Sequence, residues 1–150
     1  MVRKDIMEEL INLLKKSLAE TFTLYLKAHY YHWNVEGSDF AQYHSFLESI
    51  YTELWNAVDA IAEHVRTTKS YVPGSLSRFK ELSVVEDEVN IPAALSMLSK
   101  LRDDNQKVIE ELEKAHDMSV AAKCHGITNF LEERIDVHFK HDWMLRAITR

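Results

Sequence analysis

Apolar residues return every three or four positions in four long stretches of this chain, with polar residues between them. That period marks an amphipathic α-helix with one buried stripe. In the first stretch Leu10, Leu14, Leu18, Phe22, Tyr25, His29 and His32 share the stripe, which predicts a helix from about Asp5 to Trp33. Asn34 to Asp39 breaks the period, with Gly37 freeing the backbone and Ser38 or Asp39 placed to cap the next helix. So short a connection makes the first two helices antiparallel neighbours. The second, about Phe40 to Thr67, turns Phe40, Leu47, Leu54, Val58, Ile61 and Val65 to the core. It carries another stripe, His44, Glu48, Trp55, Asp59 and Glu63, and with Tyr43 and Tyr51 more aromatic surface than one bundle interior needs. That surplus points to an interface.

From Thr67 to Pro92 the period dissolves. Pro73, Gly74 and Ser75 form a turn, and Leu76, Phe79 and Leu82 predict a short helix lying across the bundle. Glu86, Asp87 and Glu88 read as a solvated loop. A third long helix is predicted from near Ile91, with Pro92 in its first turn and Leu95, Leu98, Leu101, Val108, Ile109, Leu112 and Ala115 inward. The fourth begins near Ser119, whose hydroxyl is placed as a cap, and its stripe includes Ile127, Leu131, Ile135, His138, Leu145 and Ile148. His138 reads as structural and His141 as a surface residue. The fold class is all-α: a four-helix bundle with a short extra helix between helices two and three. At 150 residues it is one domain, 1–150.

Composition narrows the classes. With 3 glycines and 2 prolines, breakers are too rare for an all-β fold. A formal charge of -6 gives no general affinity for nucleic acid. The lone cysteine, Cys124, has no internal partner for a disulfide or a CxxC zinc site, which suits the cytoplasm. Nothing near the N-terminus resembles a signal peptide, and no run approaches the length of a membrane span.

The candidate chemistry lies on the second helix. His44 with Glu48, and Asp59 with Glu63, are i,i+4 pairs of imidazole and carboxylate donors suited to Fe(II) or Mn(II). The same spacing also arises on any solvated helix face. The pairs cannot share an ion within one chain, because eleven helical residues span about 16 Å. Two copies packed antiparallel about a two-fold axis would set one pair opposite the other. A usual intrasubunit di-iron bundle would instead carry Glu-x-x-His on two helices, and the chain does not.

The run His32-Trp33-Asn34-Val35-Glu36-Gly37, followed by Phe40, His44, Phe46, Glu48, Tyr51, Leu54, Asp59 and Ile61-Ala62-Glu63, resembles the signature of the Dps family, mini-ferritins that protect DNA in starved bacteria. Leu131 to Arg134 and Val137 to Arg146, with Trp143-Met144-Leu145-Arg146, resemble that family's last helix. The resemblance implies a ferritin-like bundle and a ferroxidase centre between two-fold related subunits. One subunit supplies His32, His44 and Glu48, the other Asp59 and Glu63. It further implies oxidation of Fe(II), more readily by hydrogen peroxide than by dioxygen, and storage of ferric mineral in a homo-oligomer of twelve subunits. Trp33 and Trp55 would lie near such a centre, packing there or intercepting oxidising equivalents.

Three departures from the family pattern qualify it. Where many members have a lysine-rich tail, Met1 to Asp5 offers only Arg3 and Lys4, so DNA binding is expected to be weak or absent. Where members place acids at the start of the last helix, lining a three-fold pore, this chain has Lys123, Cys124, His125, Gly126 and Asn129. His64 stands where the family usually has arginine. The rival readings are a Dps-like structural cage with little iron oxidation, favoured by the altered pore, and a monomeric helical adaptor. Anaerobic Fe(II) titration followed by peroxide separates them.

Overall fold

The computed structural model describes residues 3–150; of the stretch Met1 to Asp5, expected to offer only Arg3 and Lys4 as a basic tail, Met1 and Val2 lie outside the described residues. Four long helices, α1 (Arg3–Asn34), α2 (Phe40–Thr67), α4 (Ala94–Ala121) and α5 (His125–Ile148), form the bundle, with the short α3 (Leu76–Leu82) between the second and the third long helix. Among the described residues there is no strand. Arg3 and Lys4 are already helical. α1 packs on α2 and α4, α4 packs on α5, and α3 rests on α1. No helix among the described residues is long and apolar enough to cross a membrane.

The core follows the predicted stripes. Leu10, Leu14, Tyr31, Leu47, Leu54, Leu98, Leu101, Leu112, Leu131 and Leu145 are buried in one cluster. A second cluster joins Leu18 and Ala19 of α1, Ala57 and Ile61 of α2, and Phe79 of α3. Phe79 holds α3 down by packing 4.9 Å from the Phe22 ring. Ser75 starts that helix by accepting the Arg78 N–H. Phe40 and Leu95, predicted as core, are 43% and 54% exposed, and the Phe40 ring stacks on His44.

The connections differ more from expectation. Gly37 takes φ +116, a left-handed value that favours glycine, and turns α1 into α2. Asp39 occupies the N-cap of α2 without a side-chain bond, so neither predicted capping group serves that way. The acidic run is no solvated loop throughout: Glu88 accepts from Tyr31 and Lys100, Lys27 donates to the Glu86 carbonyl, and Tyr30 to that of Asn90. The third long helix starts at Ala94, past Pro92.

Ser119 does not cap the last helix. α4 runs past it to Ala121, and α5 begins at His125. The reason is Lys123, which takes φ 57. The Cys124 N–H reaches the Ser119 carbonyl and the Lys123 N–H that of Val120, the paired bonds of a Schellman stop with lysine where glycine is usual. The Ser119 hydroxyl instead pairs with Thr128 at 2.7 Å, tying the two helices.

Candidate metal centre

The α1–α2 turn brings His32, in the last turn of α1, against His44, in the second turn of α2. The two are locked reciprocally: His32 Nδ1 donates to the His44 carbonyl at 2.7 Å, and His44 Nδ1 to the His32 carbonyl at 2.8 Å. The His32 carbonyl belongs to the helix end, where backbone acceptors lack an intrahelical partner, so the lock also satisfies a group that would be left open. The rings stack at 3.7 Å and 17°, with Phe40 on the far side of His44. A carbonyl can only accept, so each Nδ1 carries a hydrogen. In the neutral imidazoles both Nε2 lone pairs are therefore free, held in one tautomer as a metal-ligating histidine requires.

Glu48 is exposed one turn beyond His44, and the Tyr51 hydroxyl faces its Oε1 at 3.5 Å. Asp59 and Glu63 are exposed further along α2, with no side-chain hydrogen bond or ion pair among the described residues. Eleven residues of helix, about 16 Å, separate Glu48 from Asp59. Among the described residues no group of three or more His, Cys, Asp or Glu side chains is close enough to hold an ion. One chain thus presents two histidines and a carboxylate at one end of α2 and two carboxylates toward the other. Between and beside them Trp33 of α1 and Phe40 and Trp55 of α2 are exposed; of the aromatics read as surplus on α2, Trp55 is uncovered, while Tyr43 and Tyr51 are partly buried against the core.

His29 is only partly buried. Its Nδ1 meets the Tyr25 hydroxyl at 3.0 Å, and its ring lies between Tyr51 and Trp33. Desolvation first, and the neighbouring His32 second, hold it below the ordinary imidazole value.

A second polar cluster lies inside the bundle. Arg134 of α5 makes a bidentate pair with Glu53 of α2. His138 is fully enclosed, and Asn105 Nδ2 donates to its carbonyl while its own Nδ1 donates to Asn105 Oδ1 at 2.6 Å. His138 Nε2 then accepts from Arg134, and burial holds this imidazole well below its ordinary range. His138 is structural, as read. His141 is not at the surface: only 4% exposed, it is pushed down to about 4, mainly by burial. The stripe that includes Ile127, Leu131, His138 and Leu145 continues at alternating steps of four and three through Arg134 and His141, a spacing that could have placed both inside. The single Glu-x-x-His of the chain, Glu113 to His116 on α4, faces outward: Glu113 is exposed and His116 Nε2 pairs with Glu132 at 2.9 Å.

The model of the ferritin-like domain matches residues 11–150. A DNA protection during starvation protein of Brevibacillus brevis is 30% identical over 90% of this chain and 91% of its own. This chain belongs to the Dps family of ferritin-like proteins. A low temperature-induced protein of Nostoc sp. is 34% identical over 91% of this chain and 78% of that one. The crystal structure of a Dps protein from Bacillus brevis superposes with a TM-score of 0.93 at 28% identity, covering 97% of this chain and 98% of that one. The bundle, the α3 insertion and a general role in iron handling and oxidative stress follow from this Dps membership.

Proposed function

We propose that the protein is a ferroxidase and iron-storage mini-ferritin, whose metal centre forms when two copies pack across α2. His32, His44 and Glu48 of one copy then face Asp59 and Glu63 of the other, and Fe(II) is bound between them as substrate. The observation that carries this reading is the reciprocal His32–His44 lock, which uses both Nδ1 atoms and leaves both Nε2 atoms without a hydrogen-bond partner among the described residues, one helical turn from the exposed Glu48. Imidazole nitrogens with carboxylates make the mixed N,O set that first-row metals favour, and the carboxylates stabilise the higher charge of Fe(III). Hydrogen peroxide serves as oxidant more readily than dioxygen: two Fe(II) each give one electron, the O–O bond breaks, and two protons complete two waters. Ferric product collects inside a cage of twelve subunits in the cytoplasm, which removes both Fenton reactants at once. The name of the Brevibacillus relative supports a protective role of this kind.

The test is complementation. Glu48→Ala and Asp59→Ala proteins are expected to be inactive separately, and to regain part of the Fe(II) oxidation when dissociated, mixed and reassembled, because some interfaces then hold one intact centre. Full activity in both single variants would remove the assignment.

A further inference from the structure

The polar cluster inside the bundle is costly for something that only holds helices together. A buried ion pair is often no more stabilising than apolar side chains of the same size. This one also leaves two enclosed atoms, Arg134 Nε and His141 Nδ1, without a hydrogen-bond partner among the described residues. Its geometry is the outline of a cation site. The Arg134 guanidinium bonds both carboxylate oxygens of Glu53 and lies 3.3 Å from His138 Nε2. His141 Nε2 faces the same carboxylate at 3.8 Å. Asn105 accepts the His138 Nδ1 hydrogen, which leaves the other nitrogen's lone pair toward the guanidinium, as an outer partner does for a metal-bound histidine. Burial keeps both imidazoles in the neutral form that can ligate. The three donors, from α2 and α5, stand around a group larger than a metal ion, so in their present positions they are too far apart to share one.

We propose that Arg134 is the resident cation of a site formed by Glu53, His138 and His141, and that it determines where a divalent metal can bind by closing the inside of the chain to it. An arginine does not give up its charge, so the site stays filled at every working pH. With the interior closed, nitrogen and oxygen donors remain available to a metal only on the outer side of α2, where no single chain carries a complete set. Metal binding then waits for a second copy. That last step rests on the ferroxidase reading above, whereas the filled interior site does not. Removing the guanidinium should uncover the latent donors. Glu53, whose side chain is 30% exposed, has room to move toward the two imidazoles and gives an ion a way in.

The experiment starts from a parent protein carrying Glu48→Ala and Asp59→Ala, so that the proposed ferroxidase centre cannot contribute and the failure of either reading is seen separately. Co(II) is titrated into the assembled parent and read by its visible d–d absorption. Any Co(II) that the parent holds should be indifferent to His141→Ala. With Arg134→Ser added, one further Co(II) per subunit should bind and give the intense band of a low-coordinate site, and Zn(II) should displace it. His141→Ala in that protein should weaken the new binding at least about tenfold. Three results overturn the proposal: no new band in Arg134→Ser, a new band that His141→Ala leaves intact, or a parent that binds Co(II) through His141 while it keeps Arg134. Should Arg134→Ser fail to assemble even with Zn(II) present, Arg134→Lys decides. A buried lysine sheds its proton readily, so Co(II) should enter this variant as the pH rises from 6 to 9, and a site that stays closed throughout overturns the proposal.

Discussion

The two halves of α2 hold their candidate ligands in opposite ways. At the N-terminal end His44 is fixed by two hydrogen bonds and a ring on each face, and Glu48 lies within reach of Tyr51. At the C-terminal end Asp59 and Glu63 are exposed, without a side-chain hydrogen bond or ion pair among the described residues. One half is set before any metal or second copy arrives, and the other is free to adjust to what docks on it. On the proposed ferroxidase reading, positioned imidazoles supply direction, while the exposed carboxylates are free to follow the change from Fe(II) to Fe(III). Rigidity and adaptability are thus divided along a single helix, with the tie from Glu53 to Arg134 between them.

Cutting that tie is expected to give the largest effect. Arg134 is buried, and Glu53→Ala leaves its charge unpaired, which costs about 3–5 kcal/mol of stability by urea unfolding. Hydrogen exchange along α2 should then show faster opening beyond Asp59 than around His44, where the histidine lock remains. Uniform loosening of both ends would break the comparison.

A pH effect of a few kcal/mol is expected behind the second half, where α1 packs on Ala57 and Ile61. Glu20 is fully buried, and neither carboxyl oxygen has a hydrogen-bond partner. It faces Glu111, with Lys16 on its own helix and Lys114 on α4, and burial followed by Glu111 raises it from 4.5 to about 8. The folded protein therefore keeps this proton where the unfolded chain has lost it. Glu20 favours folding most below pH 4.5, and that contribution is lost as pH rises through the interval up to about 8, then stays constant. Chemical denaturation of Glu20→Gln from pH 5 to pH 9 should show higher stability at the alkaline end and a shallower decline. Parallel curves for the variant and the wild-type protein would show that Glu20 is not the group responsible.

Much of this arrangement could be read from the residues. The stripes predicted four helices and α3, and the distance along α2 separated the two ligand pairs without any structure. What escaped lies where a side chain does an unusual job. Lys123 accepts a left-handed backbone that glycine would advertise, so the sequence pattern puts the start of the last helix near Ser119, whereas it begins at His125. Arg134 and His141 are polar members of an apolar stripe, and the carboxylate that meets them, Glu53, arrives from α2, bonding Arg134 and lying 3.8 Å from His141 Nε2, which no local pattern records. The His32–His44 lock uses backbone carbonyls as acceptors and is equally invisible in composition.

The ligand halves themselves should respond alike in chemistry and differently in stability. His44→Ala and Asp59→Asn are each expected to slow Fe(II) oxidation at least about a hundredfold, since losing a ligand should cost no less than the upper range for losing a group that merely orients one. His44→Ala should also cost about 1–3 kcal/mol, since it leaves the His32 carbonyl without its donor, while His32 Nδ1 keeps the backbone carbonyl of residue 44. Asp59→Asn, at an exposed side chain with no partner, should stay within about 0.5 kcal/mol of wild type. Urea unfolding beside stopped-flow oxidation reads both quantities. Equal stability losses would mean that the second half is as tightly held as the first.

The smallest effect concerns supply of iron to both halves, and it leaves the ligands untouched. Where the family resemblance places an acidic opening at the start of the last helix, Lys123, His125 and Asn129 are exposed, while Cys124 turns inward to Met7 with 3.7 Å between the sulfurs. Local negative charge raises the concentration of a cation at an opening, and hence its entry rate. Asn129→Asp adds one such charge per subunit, so initial Fe(II) uptake by the assembled protein should accelerate a few-fold at low ionic strength. The gain should shrink as salt shortens the Debye length to about 10 Å near 0.1 M. Asp59→Asn, in contrast, should remain slow at every salt concentration, because a missing ligand is not a long-range field. Stopped-flow traces of both variants across a salt series, with light scattering to confirm equal particle size, separate arrival from chemistry. Uptake by Asn129→Asp that is unchanged or slower at low salt would rule out entry past this position and leave the two halves of α2 as they are.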